Sequence, residues 1–269
     1  MTELVSVTTL IKDALGTSQA LVNWAVNTTA AAAFDRHKIL WQFIEDDDRE
    51  GAIKWLKDQR WQKTGEAAAR GTDVHRVAEA LHLGEVVEYD EAIEPYVVQY
   101  RRFLEEFEPE FLLAEAPCYN RSFAYAGTLD GVAVIDGKPV VVDLKTTAHG
   151  PDSGKSRPPF AETAIQLTLY RNAEHVGLLA DRKEIQYRRY YSLTEEAEAN
   201  LEPMPATEGG VVVVVSPFDY LVVPVDTSER IWKVCRHVIQ VAKYQTETSK
   251  AVFGPAISPA VAGRKEVVA

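Results

Sequence analysis

Cysteine is almost missing from this 269-residue chain, which has only Cys118 and Cys235. Two cysteines exclude a disulfide framework, and they exclude a zinc or iron–sulfur site built from cysteines alone. Long apolar runs are missing too. The longest, Val211 to Val215, is flanked by Gly210 and Ser216-Pro217 and reads as a buried strand rather than a membrane span. The opening Met1-Thr2-Glu3 lacks the basic start of a signal peptide, and no internal repeat occurs. These absences suit a reducing cytoplasm. Positive charge is also scarce, with 29 Lys and Arg against 40 Asp and Glu and a net charge of −11. Bulk attraction to nucleic acid is thereby excluded, because such attraction rests on cations neutralising phosphates. A local field at a cleft is not excluded.

What is present fits an ordinary globular protein, 46% apolar and 26% charged, long enough for a substantial core. From Thr8 to Lys63 apolar residues recur at helical spacings, broken at Gly16-Thr17-Ser18, where Ser18 can cap a second helix. Thr64-Gly65-Glu66 reads as an interruption, followed by a helix from Ala67 or Gly71 to Leu83, stopped by Gly84. Glu91 to Phe107 reads as another helix. The texture then changes to strands over Phe111–Tyr119, Phe123–Asp136 and Pro139–Thr146, the last two joined by a tight turn at Asp136-Gly137. A Gly, Ser and Pro-rich loop spans Ala148 to Pro159, and a helix follows from Phe160 to Val176. Next come a strand over Glu184–Ser192, a Glu-rich loop over Glu195–Glu208, a hairpin over Val211–Val225 and a closing helix from Ser228 to Thr246. This order predicts an α/β fold with a mixed central sheet flanked by helices. The expected layout is a helical region over 1–66 packed on a core over 67–250, and a poorly ordered tail over 251–269.

The chemistry is concentrated in Gly127-Thr128-Leu129-Asp130-Gly131 and Asp143-Leu144-Lys145-Thr146-Thr147, two blocks on neighbouring antiparallel strands. Asp143 and Lys145 are two apart and share a strand face. Their neighbours Val140, Val141, Val142 and Leu144 are apolar, so two charges are carried into a buried strand, at a cost that pairing or a metal must offset. Phosphodiester cleavage needs such a set: hard cations prefer carboxylate oxygens, a bound cation activates water, and a lysine steadies the charge that builds on phosphate. The backbone carbonyl of Leu144 is placed to be a further oxygen ligand. Asp-x-Lys alone is more often a surface ion pair; the Gly-Thr-Leu-Asp block one hairpin earlier reverses that balance.

These blocks resemble the core of the PD-(D/E)XK nuclease superfamily in its RecB-like exonuclease branch, to which the CRISPR adaptation nucleases and many phage exonucleases belong. Two further stretches match. Gly71-Thr72-Asp73-Val74-His75 resembles the Gly-x-x-x-His helix, and Gln166-Leu167-Thr168-Leu169-Tyr170 the Gln-x-x-x-Tyr motif. The four blocks stand in family order across residues 67 to 175. The resemblance implies a restriction-endonuclease-like core in which Asp130, Asp143 and Lys145 are catalytic. His75 joins Asp130, Asp143 and the Leu144 carbonyl around Mg²⁺ or Mn²⁺, the imidazole favouring manganese. Gln166 and Tyr170 line the DNA groove or brace the lysine. Apart from the resemblance, Glu79, one turn from His75, and Glu115 on the preceding strand are candidate outer partners, although a charge such as Glu115 is more often simply solvated. The chain departs from the pattern with Asp143 where many members have glutamate and Leu129 in place of the proline, and it cannot form the four-cysteine cluster of some relatives.

Gly150-Pro151-Asp152-Ser153-Gly154-Lys155-Ser156 is one residue short of a P-loop, and Arg157-Pro158-Pro159 follows instead of a helix, so nucleotide hydrolysis is set aside. Lys155 and Arg157 remain expected phosphate contacts. The function expected is a metal-dependent deoxyribonuclease, an exonuclease acting on linear DNA ends in replication, repair or recombination. Its small size and missing helicase part point to a stand-alone, phage-type enzyme of a bacterial host's cytoplasm, for which an annealing or recombination protein is a candidate partner. The rival expectation is a nuclease-like protein that binds DNA or a partner without cutting.

Overall fold

The computed structural model describes residues 3–154, 158–177, 181–185 and 188–254. Its helices are α1 (Val7–Leu15), α2 (Gln19–Asp35), α3 (His37–Glu45), α4 (Arg49–His82), α5 (Glu94–Phe107), α6 (Ala161–Arg171), α7 (Glu195–Ala199) and α8 (Glu229–Thr246). Among the described residues ten strands form one mixed sheet. They are β1 (Glu3–Ser6), β2 (Glu110–Asn120), β3 (Tyr125–Ile135), β4 (Lys138–Thr146), β5 (His175–Val176), β6 (Asp181–Ile185), β7 (Arg188–Ser192), β8 (Glu202–Pro203), β9 (Gly209–Val215) and β10 (Tyr220–Val225). The main path runs β10-β9-β4-β3-β1-β7-β6, with β2 on β3 and β5 and β8 beyond β2. The α/β class and the flanked mixed sheet are therefore as the sequence predicts.

Two apolar layers sandwich the sheet, and strand alternation decides which residue enters which. Val141 on β4 and Val212 and Val214 on β9 meet α1, α6 and α8 through Leu10, Leu167 and Ile239. The intervening Val140, Val142, Leu144, Val211 and Val213 face the other way, against Val74 and Val77 of α4 and Tyr100 and Phe103 of α5. Both faces of β9 are covered, which is why five consecutive valines suit it. The β3–β4 turn places Asp136 and Gly137 at φ 49° and 72°, the left-handed pair that a tight hairpin requires.

Several features differ from the sequence expectation. First, Glu3–Ser6 is a strand; a four-residue strand running straight into a helix offers no periodicity to read, and only the Ser6 hydroxyl, accepting from Thr9 N–H at 3.1 Å, marks the change. Second, Thr64-Gly65-Glu66 does not break the chain, and α4 runs unbroken for 34 residues. A glycine inside a helix costs only about 1 kcal/mol, which flanking turns and packing at both ends offset. Third, the Glu-rich stretch contains α7 and β8 rather than loop alone. The expected strand over 184–192 is a hairpin of two, and residues 255–269 of the predicted tail lie outside the described residues.

The sheet forks at β3. Its one edge is taken by β2 along nearly its whole length. The other edge is shared: β4 pairs antiparallel with Gly131–Ile135, while β1 pairs parallel with Tyr125 and Ala126. Residues 127–130 are left without a ladder partner between the two, and Asp130 stands in that fork. Gly127 lies there as well, and a Cβ on it would come within 2.7 Å of the Tyr170 ring on α6. The glycine of one motif thus makes room for the tyrosine of another. Gly127→Ala is expected to destabilise the protein by about 1–3 kcal/mol through overpacking. Urea melts with an unchanged slope would check it, and an unshifted midpoint would remove the explanation.

Candidate metal centre and active site

β4 leaves β3 after Val142 but continues beside β9 as far as Thr146. Its Leu144 N–H would lack a partner on the β3 side, and Asp130 Oδ2 accepts from it at 2.7 Å. Asp130 and Glu115 stand opposite each other in the β2–β3 ladder. The β2–β3 register runs Ala114–Gly131 and Ala116–Leu129 on either side of them without a shift, while Glu115 has φ 42°. Leu129 and Val132, three apart, face one core layer, as do Ala116 and Leu113. Regular alternation forbids that, so each strand is locally out of step here, at Glu115 on β2 and across Asp130-Gly131 on β3.

His75 reaches them from α4. Its Nδ1 lies 3.4 Å from Glu115 Oε1 and 3.7 Å from Asp130 Oδ1, and its Nε2 lies 2.9 Å from the Leu144 carbonyl oxygen. The ligating atoms of His75, Glu115 and Asp130 all lie within 4.8 Å of one another. Burial disfavours the imidazolium, but the Glu115 hydrogen bond and the charges of Asp130 and Glu115 outweigh it, raising the His75 pKa to about 9. Burial pushes the Asp130 carboxyl up to about 6, assisted by Asp143 and opposed by His75 and Lys145. Glu115→Gln, which keeps hydrogen-bonding capacity but removes the charge, is expected to bring the His75 pKa down to about 7–8 in metal-free protein. Titration of the His75 ring proton by NMR would show this, and a midpoint still near 9 would assign the partnership elsewhere.

Asp143 sits apart from that trio. Its side chain is 2% exposed, and its Oδ1 accepts from Lys145 Nζ at 2.7 Å. Its Oδ2 is buried and has no hydrogen-bond partner among the described residues. A buried carboxylate oxygen left bare is costly, and a hard cation is what satisfies it. His75 Nε2 and the Leu144 carbonyl oxygen, 2.9 Å apart and hydrogen-bonded to each other in the metal-free protein, are both atoms that could turn to such a cation. The donor set of carboxylates, carbonyl and one imidazole therefore fits a divalent cation.

Of the other expected residues, Glu79 lines the same small cavity as His75, Glu115 and Asp130, outside the ligating trio. Tyr170 is buried against Gly127 and takes a hydrogen bond from Gln166 Nε2 at 3.4 Å, so its ring braces the fork and does not face solvent. Lys155 and Arg157 lie outside the described residues. Cys118 and Cys235 are buried free thiols, Cys118 pushed by burial up to about 12. One residue was missed. His82 follows His75 on the same face of α4, stacks on Phe111 with centroids 3.6 Å apart, bonds the Tyr100 hydroxyl and is pushed by burial down to about 4. Its spacing of seven from His75 was a legible signal.

A mixed sheet flanked by helices, with a cation-ready acidic fork beside a buried Asp–Lys pair, defines a restriction-endonuclease-like α/β protein. The family model of the PD-(D/E)XK nuclease superfamily matches residues 35–251, and the chain belongs to that superfamily. The solved structure of SSO0001 is similar at 15% identity over 64% of this chain and 82% of its own, with a TM-score of 0.26, too loose to carry an argument. No curated protein matches the chain. No helix among the described residues is long and apolar enough to cross a membrane.

Proposed function

We propose that this protein is a metal-dependent DNA nuclease of the RecB-like, phage-type branch, an exonuclease working from DNA ends in replication, repair or recombination. The observation that carries the reading is the orphaned Asp143 Oδ2, buried within a nuclease-family fold next to a lysine. His75 Nε2, Asp130, Asp143 and the Leu144 carbonyl would hold a divalent cation, Mg²⁺ or Mn²⁺. A bound cation supplies a water of lowered pKa and a polarised phosphate. Glu115 accepts from His75 Nδ1 and aims the ring, as outer carboxylates do for ligating histidines. Lys145 is 32% exposed where Asp143 is 2%, so its ammonium is the member of the pair that can meet a phosphate or orient a water. The preference for ends rests on the four motif blocks and their resemblance to the exonuclease branch.

The deciding experiment follows end-labelled linear DNA and closed circular DNA with Mg²⁺ or Mn²⁺, comparing wild type with Asp130→Asn. Loss of label from linear DNA alone, abolished by the substitution, would support the reading. Cutting of the circle would make it an endonuclease, and no cutting of either would leave a non-cutting DNA binder.

A further inference from the structure

Helix α4 joins the metal-site residues to a part of the molecule that the catalytic reading leaves unused. Its C-terminal half packs on the sheet through Val74, Val77 and Ala78. Its N-terminal half carries α2 and α3, whose main packing partners are α4 and each other. Between these two bodies, residues 65–69 are exposed on every side. A helix open all round is a bridge, and this one leaves room along its length for something to lie against it.

The helix repeats its faces at 3.6 residues per turn. Lys57 precedes His75 by eighteen residues, or five turns, and so shares its meridian about 27 Å away. Lys54 and Trp61 flank Lys57 on that face, and all three are exposed, Trp61 by 61%. Arg60 lies beside them with its guanidinium 4.6 Å above the Trp61 ring. In a chain of net charge −11, residues 49–63 hold five basic residues against two acidic ones. Lys54 and Lys57 form no ion pair among the described residues. At the other end of the face, a Cβ on Gly71 would stand 3.6 Å from Thr146 Oγ1, beside the end of β4 that carries Lys145. One helix face thus runs from the Asp–Lys strand, past small residues at Gly71 and Ala68, to an exposed indole set among cations.

We propose that this face is the track of a single DNA strand whose end lies at the metal-site residues, with Trp61 stacking on an unpaired base and Lys54 and Lys57 meeting phosphates. Stacking on aromatics with cations along the backbone is how single strands are held without sequence preference. What the strand leads to rests on the nuclease reading; that the strand binds here does not. At the stacked rise of 3.4 Å the track corresponds to about 8 nucleotides.

The test is fluorescence anisotropy of labelled oligo-deoxythymidylates in calcium, for wild type, Trp61→Ala, Lys54→Glu/Lys57→Glu and the charge-keeping Lys54→Arg/Lys57→Arg. A strand of about 16 nucleotides should bind about tenfold or more weakly to the first two variants, and a strand of about 4 nucleotides should not distinguish them. The charge-reversed variant should show a salt dependence shallower by about 1–2 in log–log slope, and the arginine variant should behave as wild type. Calorimetric Mn²⁺ binding unchanged in every variant confirms that the fork is intact. Wild-type affinity and slope in the charge-reversed and Trp61→Ala proteins overturn the track, as does equal loss for short and long strands. A wild type that binds the long strand through this face yet cuts nothing would sink the nuclease reading alone; one that cuts while the arm variants bind normally would sink this inference alone.

Discussion

Lys145→Met is expected to slow DNA cutting by about 10²–10³-fold, the usual loss when a preorganised donor is removed from a developing charge. The same substitution should be felt without substrate. Asp143 would then hold a carboxylate 2% exposed with both oxygens unpartnered, since Oδ2 already lacks one. Breaking such a pair from one side costs about 3 kcal/mol, at the low end of the range because Lys145 is itself a third open. Saturating Mn²⁺ should narrow that stability gap, because a cation held by Asp143 replaces the missing positive charge. Urea melts with and without Mn²⁺, beside a cleavage assay, separate the two effects. Cutting within about tenfold of wild type would remove Lys145 from the chemistry. An equal stability loss with and without Mn²⁺ would remove Asp143 from the cation.

Affinity for the cation should climb with pH. Metal-free His75 keeps its proton up to about 9, and ligation needs the bare ring nitrogen, so binding must expel that proton. Between pH 7 and 9 one displaced proton means an affinity rising about tenfold per pH unit, levelling above 9. Below about 6 Asp130 is protonated as well, and the dependence should steepen. The folding linkage has its own sign. The raised His75 pKa contributes stability that is fully present below the ordinary 6.5 and lost as pH climbs through 9, so the metal-free protein weakens over the range where cation binding strengthens. Calorimetry in buffers of different ionisation heat counts the protons released, and a pH-independent affinity for Mn²⁺ would exclude His75 as a ligand.

Much of the candidate site could be proposed from the chain because several of its residues lie on elements with strong periodicity. Asp143 and Lys145 lie on a strand of valines, and Gln166 and Tyr170 are one turn apart on a helix. The sheet order could not be read, since it depends on β1, four residues distant by more than a hundred from their partner strand. Glu115 looked like a solvated charge because alternation cannot foresee a left-handed residue in mid-strand. Its opposition to Asp130 depends on the β2–β3 register, which no local pattern announces. The continuity of α4 was hidden for a related reason: propensity sees a glycine and a threonine at 64–65, whereas helix length is decided by packing at the two ends.

That continuity gives one helix two unequal halves. The C-terminal turns are clamped by a sheet and can open only with the core, while the N-terminal turns share a small three-helix body and can fray with it. Opening free energy therefore varies steeply along a single element, from near that of an isolated helix to that of the whole domain. Amide exchange would step sharply near residue 70, and any force applied to the outer end would be delivered, through a rod with no joint, to the ring of His75.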